Sequence, residues 1–191
     1  MSSPRRSIAV LALLLACVGL SACGKHHDED ARIQRIEGEG FYLSLGELKY
    51  QVQVSRQLNP ADMQDRSYLL GVPQAEQELK PDQVWFGVFM QVENEAKEAQ
   101  PPSGDIEIID TQEDVYKPLA LEDNNLFAYR ASEPIPAGER LPLPDTPAFD
   151  TPIQGSLLLF KLDLQALDNR PLELKIEGTT TPQTGIIDLD V

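Results

Sequence analysis

The chain has 191 residues, with 31 acidic against 16 basic side chains and a formal net charge of −15. Phosphate contacts need clustered lysines and arginines, so this balance argues against a nucleic-acid partner, and it equally disfavours an electrostatic grip on anionic lipid. Two cysteines and two histidines leave little material for disulfides, metal centres or histidine-based catalysis.

Arg5 and Arg6 precede an apolar run over residues 8–20, which ends in Leu20-Ser21-Ala22-Cys23. A positive start, an apolar core of about 7–15 residues and small residues before a cut describe a secretory signal, and the run is too short to span a bilayer. The last four residues resemble the lipobox of bacterial lipoproteins (aliphatic, small, small, Cys). That resemblance implies lipidation of Cys23, removal of residues 1–22 and a lipid-anchored N-terminus. A thiolate is well suited to such alkylation. The protein is then expected on the outer face of the bacterial cytoplasmic membrane, or on the outer membrane where the organism has one. An ordinary secretory signal with an incidental cysteine is the alternative, and Arg5-Arg6 fits twin-arginine export poorly. Cleavage removes two arginines and no acid, leaving 169 residues with 14 basic against 31 acidic side chains and no free thiol. The exported domain must stand without disulfides, and it is long enough to bury a core that does so.

Residues 23–40 are polar, charged and bracketed by glycine, the composition of a tether. As a flexible chain it would hold a domain at residues 41–191 about 20–25 Å from the anchor. His26, His27, Asp28, Glu29 and Asp30 invite a metal reading, but nothing in this stretch would order them into a ligand shell. No metal is expected there.

Alternation begins at Glu47: Leu48, Tyr50, Val52 and Val54 share one face of a strand. Asn59 and Pro60 then predict the N-cap and first residue of a short helix that ends at Gly71. The strongest strand covers residues 84–94, with Phe86, Val88, Met90 and Val92 as its buried face. Further strands are predicted at 106–109, 115–121, 157–164, 172–176 and 187–191, with a short one near 127–130. Six prolines between Pro134 and Pro152 predict a long crossover loop, or else a polyproline segment displayed to a partner. Many short strands with turn-rich connections and one short helix predict an all-β fold, a sandwich of about seven to eight strands.

The strand 84–92 ending in Asn94, Ile106 to Asp110 with Tyr116-Lys117-Pro118, Pro136-Ala137-Gly138, Gly155 to Phe160 and Pro171 to Leu174 follow in an order that resembles telokin-like, immunoglobulin-like domains. Such domains of unknown function occur on secreted and lipid-anchored bacterial proteins. The resemblance covers residues 47–191 and implies an immunoglobulin-like sandwich outside the cell. That group has no agreed catalytic residues to carry over. The insertion between Pro136 and Gly155 departs from its compact pattern.

Both histidines precede the domain, so no histidine is placed to act as a general base. Phosphate loops, dinucleotide motifs, HExxH, CxxC and EF-hand loops are absent, and no cofactor is expected. Glu107, Asp163, Glu173 and Asp188 alternate with apolar residues, as on a solvated sheet face. A calcium site from Asp163, Asp168, Asp188 or Asp190 would follow no spacing rule. The chain is therefore read as a non-enzymatic module that docks a protein, peptide or other envelope component, or alternatively as a carrier of a small molecule or ion. Trp85 and Phe89, with Leu157 and Leu159, lie opposite the core set. They form either an interaction patch for a partner or a second core covered by the 59–71 helix or the proline-rich loop.

Overall fold

Period-two alternation sets the architecture, and in the computed structural model it is realised wherever the pattern is longest. Residues 32–190 are described; the expected signal segment, Cys23 and the 26–30 cluster lie outside them. One sheet has the order β1 (Ile33–Ile36), β10 (Thr184–Leu189), β9 (Leu172–Glu177), β5 (Ile106–Ile109) and β6 (Val115–Tyr116). The other runs β2 (Leu43–Leu45), β3 (Leu48–Leu58), β4 (Gln83–Asn94), with two strands end to end along β4's far edge. These are β8 (Ser156–Asp163), opposite Gln83 to Met90, and β7 (Arg140–Leu141), opposite Val92 and Glu93. All pairings are antiparallel except β1 on β10. With β3, β4 and β8 on one side and β10, β9 and β5 on the other, the chain forms an immunoglobulin-like β-sandwich.

The inner faces interdigitate as the pattern predicts. Tyr50, Val52, Phe86, Val88, Met90, Val92, Phe160 and Leu162 of one sheet meet Ile106, Ile108, Leu172, Leu174, Ile176 and Ile187 of the other, all buried. Each such side chain contributes about 1.5–3 kcal/mol through removal from water. Tyr50 carries its hydroxyl into this core, where burial pushes its pKa up to about 12 and the Ser103 N–H donates to it at 2.9 Å.

Four sequence expectations change. The sandwich includes residues before 41, because Ile33–Ile36 forms β1 on the edge of β10. Its charge is compatible with a strand since Arg35 donates to Glu173 at 2.8 Å and to Asp188 at 2.7 Å, while Ile36 packs on the core. The helix, α1, is Met63–Tyr68 and its N-cap is Asp62, whose carboxylate accepts from the N–H groups of Gln64 and Asp65; Asn59 instead turns the chain by accepting from Ala61 N–H. The strand expected over 115–121 pairs only at Val115–Tyr116. Pro118 has no N–H to continue a ladder, and the next residue, Leu119, donates to Leu159 in the opposite sheet. The chain changes sheets there. Ten strands are described rather than seven or eight, the additions being β1, β2 and β7, while the short strand near 127–130 reduces to one bridge between Ala128 and Leu157.

Candidate binding cleft

The aromatic patch is not exposed. Trp85, Phe89, Leu157 and Leu159 are 4%, 1%, 1% and 0% accessible, and they form a second core with Leu58, Tyr68, Val72 and Leu121. The interaction-patch reading is thereby corrected in favour of the covered core. Its cover is α1 and the segments around Val72 to Leu79 and Leu119 to Ala128, with Ile153 as the contribution of the proline-rich loop. The Tyr68 ring stands edge-on to Phe89 and Phe127, 4.9 Å from each. Arg56 grips Asp65 of α1 with two hydrogen bonds of 3.0 and 2.5 Å. Lys161 sits 5.4 Å from the Trp85 ring centre and bonds Glu76. Gly87 separates the two aromatics because a Cβ there would meet Leu157, Phe89 and Leu58 at 3.2–3.3 Å.

The cover is made of irregular chain, and its margin leaves an open cleft beside β8. After Pro118 the chain passes along β8, turns over the end of α1, and returns through residues 127–132. Asn125 fixes the turn by donating to Tyr68 and Leu70 carbonyls and accepting from Phe127 N–H. Arg130 closes it, donating to the carbonyls of Leu121 and Glu122 at 2.6 Å each. Between the two passes lies a cavity of about 330 Å³, floored by Ile106, Leu157 and Leu158 and walled by Pro118 to Leu121 and Ala128 to Ser132. Such a volume lies at the lower end of the range of small-molecule sites.

Ser103, which also lines the cavity, organises the polar groups. Its carbonyl accepts from the Tyr129 hydroxyl at 2.8 Å, and its own hydroxyl donates to the Glu177 carbonyl at 2.6 Å. Burial raises the Tyr129 hydroxyl well above its ordinary pKa, so it stays a neutral donor. A second hollow of about 210 Å³ adjoins the first across Ala128 and Arg130, and includes Asp123, Leu126, Glu133 and Ser156. A third, shallower one of about 340 Å³ lies over Trp85 among Pro60, Leu69, Val72, Gln77 and Leu79. The Gln77 amide there already donates to the Val72 carbonyl. Among the described residues no three His, Cys, Asp or Glu side chains converge as metal ligands. Asp188 is paired with Arg35, and Asp163 accepts from Gln83 at 3.3 Å.

Cys23 lies outside the described residues, so the structure places no lipidation site. Ser103, Ala128, Tyr129 and Arg130 had no signal in the sequence, since what each does depends on partners that only the folded chain brings beside it. No protein-family model and no curated protein matches the chain. Among solved structures, an uncharacterized β-sandwich protein from Clostridium difficile is 11% identical with a TM-score of 0.46, covering 81% of this chain and 94% of that one. The yjhA protein of Bacillus subtilis is 9% identical with a TM-score of 0.47, covering 81% and 100%.

Proposed function

We propose that the chain is a lipid-anchored protein of the bacterial cell envelope whose sandwich is a non-catalytic binding module, held outside the cytoplasmic membrane and using the lateral cleft as its binding site. The observation that carries the binding part is the open cavity of about 330 Å³ between the two passes of the cover, apolar on its floor and with its polar groups already organised by Ser103 and Arg130. The lipobox at Leu20 to Cys23 supports the anchor. Cys23→Ser is expected to release the protein from the membrane or to leave it as uncleaved precursor. Fractionation with membrane at mature size would overturn the anchor. For the cleft, a photo-crosslinking amino acid placed at exposed Ala120 should give adducts in intact cells, and one at Glu173 on the other sheet should not. Equal labelling from both positions would overturn the cleft as the site.

Carriage of a small molecule is the second reading, favoured by the same cavity volume. It differs in what fills the cleft, and the two readings are separable with small apolar probes.

A further inference from the structure

Residues 127–129 run beside β8 as a single strand-like step. Phe127 C=O accepts from Leu157 N–H at 2.7 Å, and Tyr129 N–H donates to Leu157 C=O at 2.8 Å. In an extended segment alternate residues direct their N–H and C=O to opposite sides, so those two bonds turn the N–H and C=O of Ala128 away from β8. Among the described residues neither group has a hydrogen-bond partner. Ala128, like Arg130, also lines both hollows of the cleft. An available donor and acceptor on one strand-like residue, with a side-chain hollow on either hand, is the geometry by which a sheet edge takes up an extended peptide. The backbone bonds supply affinity, and the hollows read alternate side chains.

Charge selects the kind of peptide. Asp123 and Glu133 line the smaller hollow, both exposed; the Asp123 side chain is wholly in water, with one oxygen 4.0 Å from Arg130 Nη2. Among the residues lining either hollow the cation is Arg130, and its two Nη groups are committed to the carbonyls of Leu121 and Glu122. An anionic ligand would meet two carboxylates and an occupied guanidinium, whereas Lys or Arg would meet Glu133 directly and, at Asp123, would compete only with a long, solvent-exposed contact to Arg130. The formal net charge of −15 acts in the same sense at longer range, drawing basic partners and repelling acidic ones.

We infer that the cleft takes an extended, basic peptide segment of an envelope protein, added along residues 127–129 as a further strand of the second sheet. An apolar side chain fills the larger hollow, and Lys or Arg lies beside Asp123 and Glu133. The inference rests on the cleft being the binding site and names the occupant.

Terminally blocked fluorescent peptides test it: acetyl-Lys-Val-Thr-Val-Lys-amide, its Glu-flanked counterpart, and the Lys peptide N-methylated at its central residue. Each is titrated by anisotropy into the full chain in lipid nanodiscs. Saturable binding is expected for the Lys peptide, weakened about tenfold or more by N-methylation or by exchange of Lys for Glu. The double variant Asp123→Lys, Glu133→Lys alters only exposed side chains, and it should lose the preference for the Lys peptide. Equal binding of Lys and Glu peptides, or indifference to N-methylation, overturns the inference. Titration with indole, a neutral apolar probe, separates the levels. Indole binding without peptide binding overturns the peptide and leaves the cleft as a small-molecule site. Binding of neither removes the cleft as well.

Discussion

The outer face of the second sheet carries Trp85, Phe89, Leu157 and Leu159 beneath α1 and the 119–128 segment, whereas the outer face of the first carries Arg35, Glu107, Glu173, Lys175 and Asp188 in contact with water. Both sheets contribute the same kind of inner face to the main core, so the difference lies wholly in what alternates with it. Where the alternate residues are charged, they pair across strands: Lys175 with Glu107 at 3.1 Å and with Glu177 at 3.0 Å, and Arg35 with Glu173 and Asp188. Where they are apolar, the sheet needs a cover, and a cover built of loops and one short helix leaves hollows at its margins. The cleft is thus a by-product of an apolar exterior, and it lies beside the covered sheet for that reason.

The largest effects are expected from the covered side. Phe89→Ala or Trp85→Ala should each cost about 3–5 kcal/mol in urea unfolding, because the cavity left among Tyr68, Leu58 and Leu157 is enclosed by packed neighbours. Little change would mean that the cover does not close over this face in solution, and the aromatics would return as a surface for a partner. Asp65→Asn should cost about 2 kcal/mol, since the charge facing Arg56 is lost and an NH2 replaces one of the two oxygens that accept from Arg56 and the Asn59 N–H. It carries a pH signature as well. Arg56 holds the Asp65 carboxyl below its ordinary pKa, against the opposing effect of burial. A depressed folded value contributes stability that is present above the unfolded value, near pH 4, and is lost as pH falls through the folded one. Glu177, held low chiefly by the Thr184 hydroxyl and then by Lys175, adds a similar acid dependence on the other sheet. The gap between wild type and Asp65→Asn should therefore narrow below about pH 4. A gap constant with pH would show that the lost contacts do not depend on the charge.

Much of the sandwich was legible in the residues themselves. Residues 84–92 read as a strand because apolar side chains occupy both of its faces, and that doubly apolar run is also why one face needed a cover. The alternation at Leu48 to Val54 and at Leu172 to Ile176 gave the same answer, and the acids at 107, 173 and 188 stand on the water face as expected. What escaped had no periodic signal. β1 is four residues long, and its arginine becomes acceptable only beside Glu173 and Asp188, 138 and 153 residues away in sequence. Asn59 and Asp62 are both competent caps, and the choice between them falls to Asp65, which accepts from Asn59 N–H at 2.8 Å and fixes the turn before the helix. The cleft draws on residues from 103 to 158, and its central feature is the direction of one alanine's backbone, which no side-chain pattern encodes.

The smallest effect is expected on the charged face, and it sharpens the comparison most directly. Arg35 is 43% exposed although it bridges two carboxylates at 2.7–2.8 Å. Solvent screening discounts such a pair, so Arg35→Ala should cost no more than about 1 kcal/mol, and less as salt is raised. Because β1 is also a four-residue edge strand on β10, hydrogen exchange should report the change locally: faster exchange at residues 33–36 and their partners in β10, with Phe86 to Val92 in the main core unaltered. Loss of several kcal/mol, or faster exchange throughout β4, would mean that the charged exterior is as integral to the fold as the covered one. The contrast drawn between the two sheets would then fail.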